Sequence, residues 1–184
     1  GATVQLTVRD PGPGSGLAAL GGPASGTVGL WRFDEGSGRP MDGGGNGNHG
    51  VLACQGGSCA LPTYGPGRSG GYGLSFAGSQ AVLISSAQLN FPTNGSFTVE
   101  AWIKPTAVAQ GAIAGLGSST QGANYLFKLN SSGLALTNDS GQGYLGPPGA
   151  VAADVWQHVA AVVQGSTISF YVNGTLFSRG VSAV

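Results

Sequence analysis

Charge is scarce in this chain: seven acidic and seven basic residues among 184, so that charged residues make up 8% and the formal net charge is zero. Nucleic acid is excluded as a partner, because phosphate binding needs a basic stripe that releases counterions. Long apolar runs are missing too, the longest being a handful of residues against the roughly 20 needed to cross a bilayer as a helix. No membrane insertion is expected. Sequence with a helical hydrophobic period is also absent, while 36 glycines and 10 prolines interrupt the chain at short intervals. What remains abundant is apolar, 41% of residues, in short runs rich in valine, isoleucine, phenylalanine and tryptophan, which separates the chain from a disordered low-complexity segment. The composition is that of a turn-rich all-β protein. With so little charge its surface is covered by Ser, Thr, Asn, Gln and Gly, and neutrality favours self-association.

There are only two cysteines, Cys54 and Cys59, in a Gly-rich loop. Four intervening residues permit a small disulfide ring, which implies an oxidising compartment; free thiols, or half of a metal site with His49 as the nearby imidazole, are the alternatives. The chain begins at Gly1 without methionine or a signal peptide and is read as a segment of something longer.

Thr3–Arg9 alternates Val4, Leu6 and Val8 with polar residues, the period of a half-buried strand. Residues 11–26 are Gly, Pro, Ala and Ser with two leucines, and read as a linker. The expected organisation is therefore residues 1–10 as an isolated strand from or for another domain, 11–26 as linker and 27–184 as the main domain. Within the last, strands are expected at Val28–Phe33, Gly73–Phe76, Ala81–Ser85, Ser96–Lys104, Ala112–Leu116, Tyr125–Leu129, Leu134–Thr137, Val155–Val163, Thr167–Val172 and Thr175–Ser178. Asn173-Gly174 marks a hairpin of the primed type. In the Ser96–Lys104 strand Phe97, Val99, Ala101 and Ile103 share one side, with Thr98, Glu100 and Trp102 on the other. In the next-to-last strand Ile168, Phe170 and Val172 face the core and Thr167, Ser169 and Tyr171 face solvent. Such regular spacing predicts an antiparallel two-sheet sandwich.

Five stretches in order carry a family resemblance: Leu30-Trp31-Arg32-Phe33-Asp34-Glu35-Gly36-Ser37-Gly38 followed by Asp42 and Gly45–Gly50; Gly73–Gly78; Ser96–Pro105; Trp156–Ala160; and Phe170–Gly174. Together they resemble the laminin G-like, concanavalin A-like jelly-roll domains over about Thr27 to Gly180. The resemblance implies an all-β, antiparallel, two-sheet jelly-roll sandwich of extracellular or cell-surface location. It also implies further strands after the Val172-Asn173-Gly174 hairpin, so the sandwich is expected to be incomplete at its C-terminus. Ala2–Asp10 resembles the closing strand of an immunoglobulin-like or polycystic-kidney-disease-type repeat; strand donation to a neighbour's open edge is the competing reading.

Concanavalin A-like folds also host glycoside hydrolases, whose chemistry needs two carboxylates flanking the sugar bond. Glu100 lies in a strand without an acidic neighbour two or four residues away, and Asp10, Asp139 and Asp154 fall in linker or turns. No serine sits in a nucleophile elbow and neither histidine has a metal-spaced partner, so no catalytic residue is assigned. Asp34, Asp42, Asn46 and Asn48 place hard oxygens around a Gly-rich loop and form a candidate Ca²⁺ set, against the plain reading that Asn46 and Asn48 occupy left-handed turn positions and Asp42 caps a turn. Trp31, Trp102 and Trp156 are expected in the core; Tyr64, Tyr72, Tyr125 and Tyr144, near loops, are better placed as sugar platforms. His158 reads as a core or edge histidine. Sequons place candidate glycans at Asn94, Asn130, Asn138 and Asn173. The function expected is a non-catalytic binding or adhesion module whose partner is a glycan or a surface protein. The alternative is a structural subunit of a filament, sheath or surface layer, partnered by identical subunits through strand donation.

Overall fold

The computed structural model describes residues 2–9, 25–55, 59–68, 70–89, 91, 95–118, 122–131, 133–138 and 140–182, with backbone only for 2–9, 117–118 and 122–124. Among the described residues there are fourteen strands: β1 (Ala2–Arg9), β2 (Thr27–Trp31), β3 (Gly50–Cys54), β4 (Thr63–Pro66), β5 (Tyr72–Phe76), β6 (Gln80–Ile84), β7 (Phe97–Pro105), β8 (Gly111–Ser118), β9 (Gly122–Asn130), β10 (Gly133–Thr137), β11 (Gly143–Leu145), β12 (Gln157–Gln164), β13 (Thr167–Val172) and β14 (Thr175–Val181). A single 3₁₀ turn at Ala87–Leu89 is the one helical element among the described residues.

One sheet runs β14-β13-β12-β7-β1-β5-β4, with β2 also on β1; a second runs β11-β10-β9-β8, and β3 pairs with β6. All pairings are antiparallel. The result is the expected all-β sandwich of jelly-roll type. Its interior is set by strand alternation: Phe97, Val99, Ala101 and Ile103 of β7, with Val159, Ala161 and Val163 of β12 and Ile168 and Phe170 of β13, meet Phe127, Leu129, Leu134 and Leu136 of the opposing sheet. Across the layers the rings of Phe127 and Phe170 stack 6.0 Å apart, and Tyr144 stacks on Phe170 at 5.3 Å. Aromatic burial on this scale dominates core energetics.

β1 differs most from the sequence reading. Residues 1–10 were expected to be isolated from this domain, yet Ala2–Arg9 pairs along its whole length with β7. Its other edge is shared by β5 at Ala2–Val4 and by β2 at Leu6–Arg9. The cause is long-range: β7 presents a complete edge beside β12, and the alternating β1 segment satisfies its backbone groups. Most of the expected linker, residues 11–24, lies outside the described residues. In β13 the expected solvent layer is also partly closed, because Ser169, on the face opposite Phe170, is buried and accepts a hydrogen bond from Arg179 Nε at 2.9 Å.

Candidate functional site

The loop after β2 is organised by one carboxylate. Asp42 Oδ1 accepts from the backbone N–H of Leu30 at 3.0 Å and of Gly44 at 2.7 Å, while Oδ2 accepts from Asn46 at 3.2 Å and Asn48 at 3.1 Å. Four donors use up the roughly four lone-pair sites of a carboxylate. The Asn48 amide in turn donates to Val28 O and Gln88 Oε1, and Asn46 donates to Thr27 O and Val28 O. Asp42 and Asn48 are buried and Asn46 is exposed. These three residues come together; Asp34, exposed on the preceding turn, is not bonded to any of them. A Ca²⁺ ion needs six to eight oxygens with free lone pairs, and here the central carboxylate is fully engaged by N–H groups. The donor set does not fit the ion, whereas it fits the turn-capping role. Glu35, which carries no obvious sequence signal, is used the same way: Oε1 accepts from Met41 N–H at 2.8 Å and Oε2 from the Tyr64 hydroxyl at 3.1 Å. Its neighbourhood pushes the Tyr64 hydroxyl up to about 12, by burial first and then by the negative charge of Glu35.

A second cluster lies on the outer face of the large sheet. Alternation along β7 turns Thr98, Glu100, Trp102 and Lys104 away from the core, the first three half-buried and the last exposed. Antiparallel register sets His158 of β12 opposite Trp102. The two rings lie 5.4 Å apart at 56°, and His158 Nε2 is 3.5 Å from Glu100 Oε2, with side-chain exposures of 16% and 13%. On the indole sits Arg68, its guanidinium carbon 3.8 Å from the ring centroid. Arg68 belongs to the loop between β4 and β5, and nothing in its local sequence announces that it reaches Trp102. Glu100 is the one carboxylate in the strands of this sheet, whose other residues are apolar, polar or basic.

The tryptophans therefore divide. Trp31 is fully buried as expected, but Trp102 is on the outer face and Trp156 is half-buried. Of the tyrosines read as platforms, Tyr72 is exposed, Tyr64 and Tyr144 are half-buried, and Tyr125 is buried against Phe97 and Phe91, because its position on β9 alternates inward. Cys54 and Cys59 form a disulfide with Cα atoms 5.8 Å apart, at the end of β3. Asn138 and Asn173 sit in turns, their side-chain oxygens accepting from the N–H of Gln142 and His158, and Asn130 ends β9 half-buried. Asn94 lies outside the described residues.

A family model described as the concanavalin A-like lectin/glucanases superfamily, of the laminin G type, matches residues 76–184. Searches of curated proteins and of solved structures give no match. The matched span is more than half of the chain and includes the outer-face strands β7 and β12, and on that basis the chain belongs to the concanavalin A-like lectin/glucanase superfamily.

Proposed function

We propose that this domain is a non-catalytic, extracellular recognition module that holds a carbohydrate against the Trp102 face of its large sheet. The observation that carries the reading is the constellation of one indole, one carboxylate beside an imidazole and a stacked guanidinium on one strand layer. Aromatic faces take the apolar face of a sugar ring, while a carboxylate and cationic N–H groups take its hydroxyls. Hydrolysis by paired carboxylates is disfavoured because Glu100 has no acidic companion in the strands of the sheet. The disulfide supports an oxidising compartment.

The test is a glycan array probed with wild type and Trp102→Ala, each with saturating calcium and with chelator. Binding is expected to be lost in the variant and unchanged by chelation. No binding under any condition, or equal binding by Trp102→Ala, overturns the reading.

A second reading, a structural subunit assembled by strand exchange, is favoured by the position of β1. Its partners lie on both edges, and it joins β2 through a Gly/Pro-rich stretch, so the same bonds form if β1 comes from another copy. Light scattering then shows concentration-dependent assemblies that deletion of residues 1–10 abolishes; a monomer at every concentration rejects it.

A further inference from the structure

The guanidinium of Arg68 lies over the Trp102 indole, its central carbon 3.8 Å from the ring centroid, so one face of the ring already carries a cation. The loop that holds it is short and closed. It joins β4 to β5, a hydrogen bond from Gly67 N–H to Gly71 O at 2.8 Å spans its base, and a Cβ on Gly67 would run into the Tyr72 carbonyl. Stacking occupies the flat face of a guanidinium and leaves the N–H groups at its edge. Arg68 is exposed, and among the described residues those groups have no acceptor. Charge on this face also runs one way along β7. Glu100, Trp102 and Lys104 share the side turned from the core, with Glu100 beside His158 at one end and Lys104 at the other, exposed and without a carboxylate partner among the described residues. Asp34, whose Cβ lies close to Gly71 of the Arg68 loop, makes no ion pair with Arg68.

We infer that Arg68 is the specificity residue of this face and that the ligand it selects is a uronic acid, a sugar whose ring carries a carboxylate. The inference rests on the carbohydrate reading of the same face and narrows it. A guanidinium held flat on an aromatic ring is pre-organised, and its N–H fork matches the two oxygens of a carboxylate in plane. A neutral sugar offers it only hydroxyls. Lys104 takes the carboxylate of a neighbouring ring in an oligouronate, while Glu100 repels an acid at the opposite end and so sets which way the chain lies. A densely sulfated glycan is a poorer match, because such chains call for runs of roughly five or more basic residues, and beside Trp102 this face offers Arg68 and Lys104.

The probes are an oligogalacturonate, its methyl ester, which has the same rings without the charge, a sulfated dextran and poly-L-glutamate, each titrated by calorimetry into the full chain with chelator present. The free acid is expected to bind about tenfold more tightly than the ester, with an affinity that falls as salt is raised. Arg68→Gln, a change on an exposed loop, brings acid and ester to equal affinity. Arg68→Lys keeps the charge without the fork and recovers only a small part of the preference. Acid and ester bound equally by wild type, with binding lost in Trp102→Ala, overturn this inference and leave the carbohydrate reading standing. Silence from the acid while neutral glycans bind on the array does the same, whereas no binding of any glycan overturns both. A full preference for the acid in Arg68→Gln, tighter binding of the sulfated dextran, or equal binding of poly-L-glutamate also overturns the uronate assignment.

Discussion

The indole Nε1–H of Trp31 donates to the backbone carbonyl oxygen of Asn48 across 2.7 Å, tying the largest buried side chain to the loop that Asp42 organises. The core and the loop therefore form one cooperative unit. Asp42 fixes the N–H of Asn48, Asn48 fixes the indole, and the indole fills the interior between the sheets.

Asp42→Ala leaves four backbone N–H groups without their acceptor, those of Leu30 and Asn48 in buried positions. Hydrogen bonds to a charged acceptor contribute about 1.5–3 kcal/mol each but not additively, so the variant is expected to lose about 3 kcal/mol or more in urea unfolding. Calcium added to wild type shifts the midpoint by nothing. A large calcium-dependent rise in Tm would show that a metal, not the N–H groups, is what Asp42 serves.

Gly29 is where the backbone lets the Trp31 ring lie flat. A Cβ built on Gly29 runs into the Trp31 ring carbons, so Gly29→Val must displace the indole and break its bond to Asn48. Overpacking of this kind costs about 1–3 kcal/mol. Tryptophan fluorescence is expected to shift to the red as the indole meets water, and an unshifted spectrum with full stability contradicts the packing described.

Reduction of Cys54–Cys59 opens a ring with a sequence separation of only five, for which the chain-entropy estimate is about 2 kcal/mol. The sandwich core lies elsewhere, so the reduced protein is expected to unfold at lower denaturant with the same dependence on its concentration. Loss of cooperative unfolding on reduction would place the ring at the centre of stability instead.

Alkaline pH acts through tyrosine. Partial burial, the Glu35 charge and the Glu35 hydrogen bond raise the Tyr64 hydroxyl to about 12, and burial raises Tyr125 as well. A tyrosine in the unfolded chain ionises near about 10, so between these values the folded state holds a proton that the unfolded state has lost. Stability is whole below about pH 10 and declines as pH rises through about 12. Tyrosinate absorbance should show Tyr64→Phe removing a late-titrating step and leaving the early part of the curve unchanged; the reverse pattern contradicts the hydrogen bond.

Much of the fold was written in local pattern. The alternation Phe97, Val99, Ala101, Ile103 gave β7 its inward face, and Asn173-Gly174, with φ of +50° and +80°, supplies the two left-handed positions a primed hairpin requires. Three short strands, β3, β4 and β11, escaped notice: glycine and proline fill half of β4, β11 is three residues long, and β3, Gly-Val-Leu-Ala-Cys, is a five-residue stretch without polar alternation. The place of β1 was not legible, since its partners in β7 lie almost a hundred residues away and the intervening Gly/Pro stretch imitates a domain boundary. Trp102 was misassigned to the core by its hydrophobicity, although its alternation with Ile103 already set it on the opposite face. Arg68 reaches it only through the fold.

Recognition without turnover at the Trp102 face is tested most directly by incubating the chain with a glycan it binds and weighing that glycan afterwards by mass spectrometry, alongside a binding titration. The expected result is saturable binding, an intact glycan, and binding lost in Trp102→Ala but kept in Glu100→Gln. Shortened glycan that disappears in Glu100→Gln would mean that this face performs chemistry.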